Sequence, residues 1–210
     1  MVIDFLSPEL TYKRLHGGGF NLPMAKACGL KKLFKKNKDQ NKNKKIKIID
    51  ATAGFGEDGF LLASLGAEVF MIERNPEVFA ALSLGLKSGL EKSLENQELV
   101  NIFSRIFLYS GQALELIPKI KQAQGEIDLI YLDPMFPHRT KSALVKKPMR
   151  DLRDLVGEDL DADGLLNIAR QHAPKVIVKR PKNAPFLAGE KTKDQLIGAS
   201  SRFDIYVGFI

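Results

Sequence analysis

Two hydrophobic periods share this chain. From position 46 onward, short runs of Ile, Val, Leu and Phe recur between longer stretches whose apolar residues fall three and four apart. IKIIDA (46–51), AEVFMIE (67–73), RIFLYSG (105–111), IDLIYL (127–132) and KVIVKRP (175–181) read as strands. FLLASLG, stopping at Gly66, reads as a helix. So does 75–94, with Asn75 as cap and Pro76 at its first helical position. ALELIPKIKQA reads as a poorer helix broken at Pro118, and 161–173 as a helix behind an acidic cap. In the tail, DQLIGASSRFDIYVGFI holds two strand-like runs around 198–201, which predict a hairpin.

The strands are apolar throughout rather than alternating, as expected of parallel strands covered on both faces. The expected fold is α/β: a mostly parallel sheet over 46–210 that closes on a C-terminal antiparallel hairpin. Residues 1–45 do not share the alternation and are expected to form a small N-terminal appendage and Lys-rich linker. Nine lysines lie between positions 31 and 47, and that composition predicts a mobile segment. It either grips phosphate or is a solvated spacer.

Composition narrows the class. A chain of 210 residues supports one good core. No run approaches the roughly 18 consecutive apolar residues of a membrane span. The N-terminus lacks the basic-then-apolar pattern of a secretory signal, so a cytoplasmic location is expected. The one cysteine, Cys28, permits no internal disulfide and reads as a small core residue. His16, His138 and His172 are too scattered for metal spacing, so no metal is expected. A net charge of +7 favours a polyanionic partner, though a soluble enzyme with many surface lysines fits as well.

The first candidate site is DATAGFGEDG. Gly54, Gly56 and Gly59 stand in GxGxxG spacing between a strand and a helix, the Rossmann-like arrangement for a nucleotide. Glu73 ends the second strand about twenty residues on, where a carboxylate meets ribose hydroxyls. A dinucleotide reductase and a methyltransferase using S-adenosylmethionine both satisfy this pattern. Two features favour the methyltransferase. Asp50 ends the first strand, where it can face the cofactor's amino-acid part. Glu57 and Asp58 would repel a pyrophosphate but suit a sulfonium and an ammonium. The loop at 110–113 would lie beside the adenine, with Gln112 able to donate and accept.

The second candidate site is DPMF. Asp133 follows the fourth strand at the sheet's carboxyl edge, where ligands of open α/β sheets bind. Pro134 has no N–H, so carbonyls there face no competing donor, and Phe136 offers a flat face to a base. A carboxylate and a carbonyl that hold the hydrogens of an exocyclic amine can aim its nitrogen, and transfer is then driven by positioning. The chemistry does not separate guanine from adenine. Arg139, Lys141, Lys146, Lys147, Arg150 and Arg153 follow, and Lys179 and Arg180 end the fifth strand on the same edge. All are candidate contacts to RNA phosphate. HGGG at 16–19 resembles an esterase oxyanion loop, but the chain has no G-x-S-x-G elbow.

The string YLDPMFPHRTKSALVKKPMR, with LVGEDLDADGLL, IVKRPKNAP and RFDIY, resembles the ribosomal RNA small subunit methyltransferase J family. The likeness runs from about position 50 to the C-terminus and reaches back to GGGF and AKACGLKK. It implies a class I methyltransferase fold, S-adenosylmethionine as cofactor, and 16S rRNA or the small ribosomal subunit as partner. It also implies N(2)-methylguanosine as product. By position it places cofactor contacts on Glu57, Asp58, Glu73, Arg74, Gln112, Ala113 and Asp133. Within the resemblance the lysine-rich insert is unusual, position 57 is an acid where a base is expected, and further residues are expected ahead of Met1. The readings that remain are an adenine amino-group methyltransferase, a reductase, and a non-catalytic RNA-binding module.

Overall fold

The structure is a computed structural model, and it describes residues 2–39, 44–134 and 162–210. One seven-stranded sheet organises it: β1 (Lys47–Asp50), β2 (Glu68–Glu73), β3 (Ile106–Ser110), β4 (Leu129–Leu132), β5 (Lys175–Pro181), β6 (Gln195–Ile197) and β7 (Ser201–Val207). The order is β3-β2-β1-β4-β5-β7-β6. The first five strands are parallel, whereas β7 runs antiparallel to both β5 and β6. The expected α/β class and C-terminal hairpin are therefore present. Every residue of β2 and of β4 is buried, as strands covered on two faces must be. Strand order reverses between β1 and β4, which opens a crevice at their carboxyl ends.

Helices cover both faces: α1 (Pro8–His16), α2 (Pro23–Cys28), α3 (Leu30–Asp39), α4 (Glu57–Ser64), α5 (Pro76–Lys92), α6 (Gln97–Phe103), α7 (Ala113–Gln124) and α8 (Ala162–His172). Ile48, Tyr131, Ile177 and Phe203 point into one core with residues of α1 through α6. Ile49, Ile130, Val176 and Val178 point into the other, against α7 and α8. The period of two along each strand thus sorts neighbouring residues to opposite sides.

Residues ahead of position 45 pack into the core of the sheet. Phe5, Leu10, Met24, Ala27, Cys28 and Leu30 lie in the same core as Ile48 and Tyr131. The lysine-rich stretch, expected to be mobile, is helical through Asp39, and 40–43 lie outside the described residues. Its composition hid a short stripe. Leu30, Leu33 and Phe34 are spaced three and four apart and turn inward, while Lys31, Lys32, Lys35, Lys36 and Lys38 stay exposed.

Helix α5 starts as expected, with Asn75 Oδ1 accepting from the Glu77 and Val78 amides at 2.9 and 3.1 Å. Helix α7 runs through Pro118 instead of breaking. Proline removes one backbone donor, but Ile117 and Ile120 on either side are buried and hold the helix to the sheet. Helix α6 has no counterpart in the sequence expectations. Asn96 caps it, accepting from Leu99 N at 3.2 Å, and Ile102 and Phe103 anchor it.

Candidate active site

Five strand ends meet at the carboxyl edge, and β1 delivers the first piece. After Asp50 the chain turns back sharply. Gly54 and Gly56 have φ of 52° and 73°, values that side-chain-bearing residues rarely adopt. The Gly54 amide donates to Glu73 Oε2 at 2.9 Å, and the Asn75 amide donates to Glu73 Oε1 at 2.7 Å. Glu73 is thus at the end of β2 as expected, and it also clamps the glycine loop. Burial pushes its carboxyl pKa up, and the amides of Asn75, Gly54 and Arg74 oppose that rise.

Asp50 is 2% exposed. Its Oδ1 accepts a long bond from the Thr52 amide at 3.3 Å. Burial first, and then the charge of Asp58, push its carboxyl pKa up to about 8. There is little room around it: a Cβ built on Gly59 would lie 3.0 Å from Asp50 Oδ2 and 2.4 Å from Met71 Cε.

A chain of polar contacts joins this loop to β4 and β5. Lys179 Nζ lies 2.6 Å from Asp58 Oδ2 and 2.8 Å from Asp133 Oδ2. The Tyr131 hydroxyl donates to the same Asp58 oxygen at 2.7 Å. The Asp133 amide donates to Thr52 Oγ1 at 2.6 Å. Burial pushes Asp133 up, Lys179 opposes it, and Asp58 adds to the rise. Burial pulls Lys179 down, but Asp133 and then Asp58 more than offset this, so its ammonium ends higher than usual. Burial and the neighbouring Asp58 raise the Tyr131 phenol as well.

The structure places the remaining expected residues unevenly. Glu57 is exposed at the start of α4 and pairs with Lys13 of α1 at 3.0 Å. Gln112 is exposed and Ala113 half-buried at the start of α7, directly beyond β3, whose Ser110 lies beside Glu73. Arg74 is half-buried next to Glu73. Pro134 is buried. Phe136, Arg139, Lys141, Lys146, Lys147, Arg150 and Arg153 lie outside the described residues.

Lys179 and Arg180 were expected together at RNA phosphate, and the strand separates them. Lys179 turns to the side of Tyr131 and is spent on two carboxylates. Arg180 is 5% exposed and donates twice to the Pro185 carbonyl at 3.2 Å. Sequence reasoning missed Tyr131 and Thr52. A tyrosine inside a strand reads as one more apolar residue, yet its buried hydroxyl requires a partner, and that requirement was the available signal.

The donor set suits S-adenosylmethionine. Among the described residues, Asp50, Asp58 and Asp133 gather about one ammonium, that of Lys179. That excess of acid in a half-dry crevice is complementary to a cationic ligand and hostile to a pyrophosphate. Glu73 beside the glycine loop suits a ribose.

Comparison with known proteins agrees. A family model described as "Putative SAM-dependent methyltransferase" matches residues 1–208. The ribosomal RNA small subunit methyltransferase J of Hahella chejuensis is 43% identical over 205 residues, covering 97% of this chain and 71% of that protein. The protein of the same name from Pseudoalteromonas atlantica is 45% identical over 211 residues, covering 99% and 76%. A crystal structure of a SAM-dependent methyltransferase from Neisseria gonorrhoeae superposes with a TM-score of 0.73 at 36% identity, covering all of this chain and 75% of that one. The rRNA methyltransferase aviRa from Streptomyces viridochromogenes, at 14% identity and a TM-score of 0.51 over 88% of this chain and 84% of its own, shares the fold alone. The chain belongs to the ribosomal RNA small subunit methyltransferase J family of S-adenosylmethionine-dependent methyltransferases.

Proposed function

We propose that this protein methylates the exocyclic amino group of a specific guanine in 16S rRNA, forming N(2)-methylguanosine. The observation that carries the reading is the position of Asp133. It leaves β4 beside the strand-order switch, and its carboxylate meets the Lys179 ammonium through Oδ2. It does so in a chain 43% identical to a named small-subunit rRNA methyltransferase.

The residues divide the work. Asp50, the loop of Gly54 and Gly56, Asp58, Glu73, Arg74, Gln112 and Ala113 hold the cofactor, with Glu57 at the rim of the loop. S-adenosylmethionine, when bound there, would supply an electrophilic methyl group, its S–CH3 bond breaking to leave the neutral thioether S-adenosylhomocysteine. Asp133 Oδ1 accepts a hydrogen bond from the guanine amine, which is a poor nucleophile because its lone pair is delocalised into the ring. The same oxygen takes the proton that the nitrogen gives up as it gains the methyl carbon. The Pro134 carbonyl holds the second hydrogen and Phe136 stacks the base. Arg139, Lys141, Lys146, Lys147 and Arg150 meet RNA phosphate. A base that must reach this crevice is unpaired or flipped from its stack. Such an enzyme works where ribosomes assemble, in the cytoplasm. No helix among the described residues is long and apolar enough to cross a membrane.

The test uses labelled S-adenosylmethionine with naked 16S rRNA and with 30S particles from a strain lacking the gene. Digestion should yield labelled N(2)-methylguanosine from one of the two substrates. Labelled N(6)-methyladenosine would move the activity to adenine. Absence of label, with no calorimetric binding of the cofactor, would leave an RNA-binding module instead.

A further inference from the structure

The ammonium shared between Asp58 and Asp133 has a place in the reaction rather than at the RNA backbone. We propose that Lys179 is the positioning residue of the amine acceptor: it fixes the Asp133 carboxylate through Oδ2 and leaves Oδ1 to receive the amine. The proposal rests on the reading of Asp133 given above.

Three observations support it. The first is the pair of short contacts, 2.6 Å to Asp58 and 2.8 Å to Asp133. One ammonium therefore ties an acid of the glycine-loop helix to the acid that follows β4. The second is that both partners are themselves anchored. Tyr131, fully buried, holds Asp58 Oδ2 at 2.7 Å, and Thr52 Oγ1 holds the Asp133 amide at 2.6 Å. A lysine gripping RNA needs no such frame. The third is direction along β5. Lys179 follows Ile177 by two and shares its side of the sheet with Tyr131, while Val176 and Val178 face the other core.

The charges make the proposal testable by pH. The groups that act on Asp133 are Lys179 and Arg180 of β5, Asp58 of α4, Asp50 of β1 and Tyr131 of β4. Burial raises Asp133, Lys179 is the strongest opposing influence, Asp58 adds to the rise, and Arg180 opposes it. Without the ammonium the carboxylate holds its proton to higher pH. The acid limb of the rate profile must then move up.

Lys179→Met should lower kcat about 100-fold while moving the acid limb of kcat/KM up by about one pH unit, with a smaller effect on KM for RNA. Lys179→Gln, whose amide still donates to a carboxylate, should move the limb the same way and covers the case in which the Met variant does not fold. Lys179→Arg should return the limb toward wild type. If both neutral variants fail to fold, Lys179→Arg is decisive alone. A wild-type limb with lowered kcat supports positioning, and a wild-type kcat with only the RNA KM changed overturns it. An unmoved limb in either neutral variant, with raised KM and a shallower salt dependence of RNA binding, would make Lys179 a phosphate contact and overturn the inference. Asp133→Asn separates the two levels. If it transfers methyl at the wild-type rate, the reading of Asp133 fails. If it is inactive while Lys179→Met keeps its limb, only the lysine's role fails.

Discussion

The two edges of the central sheet use the same residue types to opposite ends. At the amino edge, Lys44 meets Glu126 at 2.6 Å and Asp128 at 3.6 Å, and Lys45 meets Glu68 at 2.5 Å. Lys47 Nζ donates to the Gln124 carbonyl at 2.6 Å. Each cation there has its own acceptor, and Lys44 and Lys45 are exposed. At the carboxyl edge, Asp50, Asp58 and Asp133 crowd about Lys179, partly or wholly out of water. A balanced cluster whose lysines stay at the surface contributes little and asks for nothing. An unbalanced, dry one raises the pKa values of Asp50 and Asp133 and is held at a cost that a cationic ligand can relieve. The contrast teaches where to look for function in a lysine-rich chain: where charges fail to cancel, not where they are most numerous.

The sharpest way to break that contrast is to remove the acid at the centre of the unbalanced edge. Asp133→Ala should cut methyl transfer about 1,000-fold or more and weaken cofactor binding, because positioning and proton acceptance are lost together. Single-turnover transfer and titration calorimetry read the two effects separately. Transfer at the wild-type rate would make this edge as silent as the other.

The next effect is on the frame. Gly56 has φ of 73°, and a Cβ there would lie 2.7 Å from Leu82 Cδ1 and 3.2 Å from Phe5 Cζ. Gly56→Val should lose roughly 2–3 kcal/mol of stability in denaturant unfolding and at least about tenfold in cofactor affinity. Retained affinity would mean that the loop is not the cofactor's seat.

Much of this was legible in the sequence because parallel strands buried on two faces write continuous apolar runs. The five expected parallel strands differ from those observed by two residues at most. Asp50, Glu73 and Asp133 were placed by the same logic, as acids at strand ends. The failures have a common physical source: composition overrode periodicity. The lysines of α3 concealed the inward stripe of Leu30, Leu33 and Phe34. The basic pair Lys179 and Arg180 was read as one patch, although strand alternation sends them to opposite faces. Helix α6 escaped because seven residues give barely two turns of pattern. Tyr131 escaped because only the fold could show that its hydroxyl reaches Asp58, 73 positions earlier in the chain.

Asp50 gives a smaller effect with a definite sign. Its folded pKa, about 8, lies above its ordinary value of 3.8. Between those values the folded protein keeps a proton that the unfolded chain has lost. Stability of the ligand-free protein should therefore fall as pH rises through this window and level off above about 8. Cofactor affinity should move the other way. An ammonium or sulfonium beside Asp50 favours its ionised form, so binding should tighten with pH, by up to about tenfold per unit below the folded pKa. Asp50→Asn should flatten both slopes. Calorimetry at several pH values reads the second, and a flat wild-type profile would remove Asp50 from the cofactor's surroundings.

The smallest expected effect belongs to the balanced edge. Lys44→Ala removes an exposed cation that touches Glu126, which has water as an alternative partner, and Asp128, which keeps the Lys47 amide. The Coulomb gain is screened and offset by the entropy of holding a long side chain, so the loss should stay under about 1 kcal/mol. It should shrink further in high salt. The methyl-transfer kcat should not change, because the pair lies at the opposite end of β1 from Asp50. A drop in kcat of tenfold or more would show that charge at the amino edge reaches the site through the strand, and the division between a silent edge and a working one would fail.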